Sequence, residues 1–207
     1  MADDRALIAL MRTIASSDRV LALSLLAATP ALAVATLGQG AQRTSSENVF
    51  FADCHSYVYA GDTALHVAAF AYETVLAQHL VIAGADVRAR NRRGAEPLHA
   101  AVTGAPGSRN WNPQQQAAVI TNLMEAGAEP NATAAGGVTP LLRAVRNRCS
   151  AAVRALLDTG ADPHQANDRG STAFTLAGLT TGRSGSGSPE ANAEQELIVA
   201  MLESHTT

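Results

Sequence analysis

Two sets of glycines recur in phase along this chain, and a sequence that repeats itself every thirty-odd residues has few ways to fold. Four segments align: Gly61-Asp-Thr-Ala-Leu-His-Val-Ala-Ala, Gly94-Ala-Glu-Pro-Leu-His-Ala-Ala-Val, Gly137-Val-Thr-Pro-Leu-Leu-Arg-Ala-Val and Gly170-Ser-Thr-Ala-Phe-Thr-Leu-Ala-Gly. Their first glycines lie 33, 43 and 33 residues apart. A second set, Gly84-Ala-Asp, Gly127-Ala-Glu and Gly160-Ala-Asp, precedes the next start by ten residues every time. Each of these glycines follows a leucine (Leu80, Leu123, Leu156) by four. Units this short cannot bury an apolar face alone, so they must stack on their neighbours and be closed by polar caps.

Within each unit the residues have helical logic. Thr or Pro opens a first helix as cap and first-turn residue. Small residues such as Ala68 and Ala69 let helices approach closely. Val75, Leu76, Leu80 and Val81 bury one face of a second helix. Gly84, Gly127 and Gly160 end that helix in the left-handed conformation, which costs glycine little. The next ten residues form a polar projecting turn.

This pattern resembles the ankyrin repeat, with its 33-residue period and Thr-Pro-Leu-His signature, from Gly61 to about Glu203. The resemblance implies an all-α ankyrin-repeat solenoid of stacked helix-turn-helix repeats with β-turn fingers and helical caps. Residues 1–60 are expected to form an N-terminal helical cap and a long irregular, aromatic-rich loop. Residues 61–207 are expected to form four repeats starting near 61, 94, 137 and 170, the last acting as C-terminal cap, in one continuous domain. Helices are expected over 4–14 and 18–28, with Asp18 an N-cap, and over 189–204. Departures from the signature are informative. Ala64 and Ala173 replace the Pro, Glu96 replaces the Thr, and the His survives only as His66 and His99. In the family that His supports a local hydrogen-bond network, so at Leu142 and Thr175 the network must be absent or different, and those repeats less regular.

Composition fits a packed, aromatic-poor stack: 47% hydrophobic, 16% charged and 4% aromatic residues give a core of Ala, Leu and Val. A net charge of −3 predicts neither a nucleic-acid nor a membrane partner. All fifteen basic residues are arginines, which reads as a bacterial genome of high GC content. Two cysteines, Cys54 and Cys149, give no disulfide framework, so a reducing, cytoplasmic compartment is expected. The alternative is export, if 20–33 is a signal peptide. However, Asp3, Asp4 and Asp18 offset Arg5, Arg12 and Arg19 ahead of that run, and Pro30 interrupts it.

Function in repeat scaffolds concentrates in irregularities and exposed turns. The first irregularity holds Phe50, Phe51, Asp53, Cys54, His55, Tyr57 and Tyr59, read either as rings sealing the first repeat or as a binding lip. The second is a ten-residue excess within Thr103–Pro113, with Arg109 and the only tryptophan, Trp111. The third is Gly178–Pro189, with Arg183. Both insertions fall between paired helices, so with Arg146 and Arg148 they define one edge. The resemblance further implies that finger tips and first-helix ends contact the partner: Asp62, Phe70, Arg90, Arg92, Arg93, Arg146, Asn147, Asp168 and Arg169. Arginine dominates, so the expected partner is an acidic protein or peptide rather than nucleic acid.

Enzyme readings have little support. Adjacent Cys54 and His55 point to opposite faces of an extended chain, no His/Cys cluster has zinc spacing, and Gly182-Arg-Ser-Gly-Ser-Gly lacks a phosphate-loop lysine. No cofactor and no metal is expected. The competing reading is a small-molecule or enzymatic pocket roofed by 50–59, using Phe50, Asp53, His55, Tyr57 and Tyr59, with His55 and Asp62 facing inward.

Overall fold

The computed structural model describes residues 4–40, 49–53, 56–179 and 188–205. Among them ten helices carry the fold: α1 (Asp4–Ala15), α2 (Arg19–Ala28), α3 (Ala64–Phe70), α4 (Thr74–Ile82), α5 (Pro97–Ala101), α6 (Pro113–Glu125), α7 (Pro140–Arg146), α8 (Ser150–Asp158), α9 (Ala173–Ala177) and α10 (Pro189–Glu203). A short antiparallel pair, β1 (Phe50–Phe51) and β2 (Ser56–Tyr57), is inserted before α3. Odd-numbered helices stack on one another in one layer, and even-numbered helices in a second. Ala64, Ala68, Ala101, Ala144 and Ala173 are fully buried in the first layer, where small side chains allow close helix approach. Leu76, Leu80, Ile120, Leu123 and Leu156 seal the two layers together.

The helix pair α1–α2 continues both layers without carrying the repeat signature. Leu7, Leu10, Met11 and Ile14 of α1 are buried, and α1 packs on α3. Asp18 caps α2 by accepting from the Leu21 amide at 3.0 Å, and Arg19 donates to the nearly buried Glu73 at 2.7 Å, tying α2 to the start of α4. Ala22, Leu26, Leu32 and Ala33 of the apolar run lie in the common core, whereas Val20 and Leu21 are exposed. Among the described residues no helix is long and apolar enough to cross a membrane.

Three first-layer helices start on a threonine: Thr63, Thr139 and Thr172 accept from the amides of His66, Leu142 and Thr175. The two histidines extend this into a bridge. Thr63 N–H donates to His66 Nδ1 at 3.2 Å, and His66 Nε2 meets the Ala95 carbonyl of the next repeat at 3.1 Å. His99 repeats the arrangement, taking the Glu96 amide on Nδ1 and reaching the Val138 carbonyl at 3.0 Å. An amide can only donate and a carbonyl only accept, so each ring carries its proton on Nε2. The same argument explains why the bridge ends there. Leu142 has no polar atom to reach onward, and Thr175 accepts the Thr172 amide at 2.8 Å but bonds back to the Thr172 carbonyl.

The fingers are stitched by the backbone: Arg92 donates to Ala60, Ala135 to Arg93, and Asp168 to Gly136. The second helices α4, α6 and α8 stop at glycines with φ of +93°, +94° and +96°, Gly84, Gly127 and Gly160. A β-carbon on Gly127 would meet nothing within 4 Å, so the requirement for glycine there is purely conformational. Gly127→Ala is therefore expected to lower stability by about 1–2 kcal/mol in urea unfolding. No loss of stability would mean the helix ends differently.

Candidate protein-interaction face

The hairpin β1–β2 lies over the exposed side of the first layer. Phe51 is buried beneath it, with the Arg12 guanidinium 5.3 Å from its ring, while Phe50 and Tyr57 contact each other at 4.8 Å. Under this roof opens a cleft of about 70 Å³ walled by Tyr57, Tyr59, Asp62, Val67, Phe70 and Arg143, among others. Beside it is a broader depression of about 490 Å³, reached by Asp53, Phe70, Tyr72, Arg109 and Trp111.

The finger ahead of α5 leans on the roof. Arg92 and Arg93, both exposed, place their guanidinium carbons 5.2 and 4.8 Å from the centre of the Tyr59 ring, and Arg93 Nη1 lies 3.5 Å from its hydroxyl. Cation–π contact orients both charges above the cleft. Arg90 behaves differently. Its exposed guanidinium donates from Nε to Glu96 Oε1 at 3.1 Å, and Glu96 itself is wholly buried, with Oε2 unpartnered.

Several residues read from sequence as contact positions have internal work to do. Asp62 is buried, accepting from the Tyr59 amide at 2.6 Å and from Asn91 Nδ2 at 2.8 Å. His66 lies 3.7 Å from it, but burial holds the imidazole pKa down, so this is a contact with a neutral ring. Arg148 corrects the expected exposed edge: it is only 3% exposed, its backbone adopts φ +58°, and Nη1 donates to Asn192 of α10 at 3.3 Å. The left-handed turn swings its stem beneath α10 and out of the edge. Asn147, half-buried, donates to the Val102 carbonyl at 3.4 Å. Arg146 is half-buried, whereas Asp168 and Arg169 are exposed on the last finger. Cys54, His55, Arg183 and the loop 180–187 lie outside the described residues.

The first insertion is clasped from inside. Gln116, fully buried at the start of α6, donates to the Ala101 carbonyl at 3.1 Å and to the Tyr72 hydroxyl at 3.3 Å. Its Oε1 accepts from Trp111 Nε1 at 3.0 Å, and Tyr72 donates to the Thr103 carbonyl. Trp111 thus keeps its polar edge turned inward and offers a half-buried ring to the depression, with Arg109 exposed beside it. Asn110 donates to the Asp53 carbonyl at 3.0 Å, linking the insertion to the hairpin. Beneath the insertion sits Cys149, a free buried thiol pushed up to about 12 by burial, which holds it protonated.

Sequence reasoning passed over Arg143. It stands in α7 at the column that holds Val67, Ala100 and Leu176 in the other repeats, so a charge in an apolar column was the available signal. Its Nη1 donates to the His99 carbonyl at 3.0 Å. Burial first, and then the positive charges of Arg93 and Arg146, lower its pKa to about 10. Among the described residues no group of three His, Cys, Asp or Glu side chains is arranged to hold a metal ion.

Two layers of paired helices, left-handed glycine stops and stitched fingers make this an all-α ankyrin solenoid. The ankyrin-repeat family model matches residues 60–92 and 136–168, so ankyrin repeats are present in the chain. Those windows cover the two repeats without an insertion. The chain is 38% identical over 118 residues to mouse ankyrin repeat and SOCS box protein 16, covering 56% of this chain and 25% of that protein. It is 35% identical over 123 residues to human BCL-6 corepressor-like protein 1, covering 59% of this chain and 6% of that protein. The chain thus spans a quarter or less of the length of these relatives. Repeats and relatives together support a protein-interaction module in general terms.

Proposed function

We propose that this chain holds an acidic protein or peptide against the face formed by its arginine-bearing fingers, the β1–β2 roof and the first insertion. The observation that carries the reading is the pair Arg92 and Arg93, exposed and oriented on the single Tyr59 ring above an open cleft. Guanidinium groups held in place lose less freedom on meeting a carboxylate, and their forked donors suit it. Arg109, Trp111, Arg146 and the tip residues Asp168 and Arg169 extend the same surface. Supporting a protein partner over nucleic acid is the net charge of −3. The burial of Leu26 and Leu32 in the core supports the cytoplasmic reading over export, and the lysine-free composition a bacterial source.

A small-molecule or enzymatic site under the 50–59 roof is the competing reading. The cleft under the roof, about 70 Å³, accommodates one side chain, whereas small-molecule pockets run to roughly 300 Å³ or more. The neighbouring depression of about 490 Å³ is large enough, but among the described residues that this reading invokes only Asp53 reaches it. Peptide capture is the better fit.

The test is affinity capture from native lysate with mass spectrometry, comparing the full chain with Arg92→Gln/Arg93→Gln. Arg90 is left intact because its loss would strand the buried Glu96. Captured partner is expected to fall at least about tenfold while the melting temperature stays within about 2 °C. Unchanged capture, or an equal loss of stability, would overturn the reading.

A further inference from the structure

We propose that Arg143 is the seat for one acidic side chain, Asp or Glu, of an extended peptide laid across α3, α5 and α7. This deepens the partner-holding reading and rests on it. Three observations converge. First, Arg143 carries a charge in a helix column that is apolar in the three other repeats, and it opens onto the cleft under the hairpin roof.

Second, its donors are largely unspent. A guanidinium has five N–H donors, and among the described residues the one hydrogen bond it makes goes to the His99 carbonyl. No carboxylate lies within ion-pair distance of it among the described residues. Asp62, whose charge acts on Arg143, is already taken by Asn91 and the Tyr59 amide. Arg93 and Arg146 act on Arg143 more strongly than Asp62 does in the opposite sense, so a bound carboxylate would relieve repulsion among three guanidinium charges.

Third, the shape selects a side chain. A cleft of about 70 Å³ takes a carboxylate and its methylene stem, and Tyr59, Val67 and Phe70 give that stem apolar walls. Chain-terminal carboxylates are instead usually captured by nests of backbone amides, and the donor here is a side-chain fork.

The experiment follows the Arg Nε–Hε and backbone amide signals of the full ¹⁵N-labelled chain by NMR. The probes, at constant ionic strength, are N-acetyl-glutamate N-methylamide, its glutamine counterpart, and N-acetylglycine as a terminal carboxylate. The Arg143 signal and the Tyr59 and Thr103 amides are expected to shift saturably with the glutamate probe, at least about tenfold more tightly than with either other probe. Arg143→Gln should abolish that response. Arg143→Lys, which keeps stem and charge but lacks the fork, should weaken it and guards against a folding defect in the first variant. Equal response to the glutamine probe, an undiminished response in Arg143→Gln, or preference for N-acetylglycine would each overturn the assignment. A silent Arg143 in a chain whose partner capture still depends on Arg92 and Arg93 removes this seat and leaves the broader reading standing.

Discussion

Lowering the pH from about 7.5 to about 5 is expected to remove about 2 kcal/mol of folding stability through His99 alone. Burial holds this imidazole down to about 3, with the charge of Arg143 acting in the same direction. Its Nδ1 accepts the Glu96 amide and its Nε2 donates to Val138, so a second proton would set an N–H against an N–H. The unfolded ring titrates near 6.5. A folded-state value below the unfolded one means full stabilisation above about pH 6.5. Stability then declines by about 1.4 kcal/mol per pH unit until the folded ring protonates near pH 3. His66, also held down by burial, adds in the same direction. Urea unfolding at the two pH values measures the sum, and His99→Gln isolates the part. A glutamine places an acceptor and a donor where the two ring nitrogens lie, and it is a natural residue at this position of a capping box. It should keep the bridge while lowering the pH sensitivity by about 2 kcal/mol. An unchanged pH dependence in that variant would mean that His99 is not held neutral.

The Arg90–Glu96 pair should respond asymmetrically to substitution. Arg90→Ala is expected to cost about 2 kcal/mol, since it leaves Glu96 buried with neither carboxylate oxygen bonded to a side chain. The figure sits below the range for wholly buried pairs because the guanidinium side chain is 52% exposed. Glu96→Thr, by contrast, is expected to stabilise by about 1 kcal/mol. It removes the unpartnered Oε2 and keeps the capping box with the shorter hydroxyl that Thr63, Thr139 and Thr172 supply in the other repeats. In Arg90→Ala/Glu96→Thr the penalty of the first change should largely vanish, a coupling that a double-mutant cycle reads directly. Independent, additive effects would show that the two side chains do not compensate one another. Glu96 meanwhile ties Arg90 down, and with it the finger that carries Arg92 and Arg93.

What sequence made legible were the places where backbone geometry leaves one choice. Gly84, Gly127 and Gly160 had to be left-handed helix stops, and they are. The break in the histidine bridge followed from side-chain reach, since the Leu142 side chain has no polar atom and the Thr175 hydroxyl bonds back to Thr172. The Leu142 repeat is not less regular for it, because the ankyrin-repeat family model matches 136–168. Residues whose role depends on a distant neighbour were harder. Arg148 reads as solvated within Arg-Asn-Arg, yet its left-handed backbone turns it under α10, forty-four positions away in sequence at Asn192. Trp111 reads as an exposed ring on an inserted loop, because nothing local shows that Gln116 clasps it. Glu96 stood out as a departure, but its burial against Arg90 depends on how the finger folds back. Arg143 was hidden differently, since only a column-by-column comparison of repeats shows a charge among Val67, Ala100 and Leu176.

The finger-and-roof face, with its arginines, carries the account. Hydrogen exchange of the full chain, with and without the partner recovered by capture, tests that most directly. Binding is predicted to slow exchange at the finger around Arg92 and Arg93, at β2 and along α7. Slowing confined to the even-numbered helices α4, α6 and α8, with the fingers and roof unchanged, would contradict it.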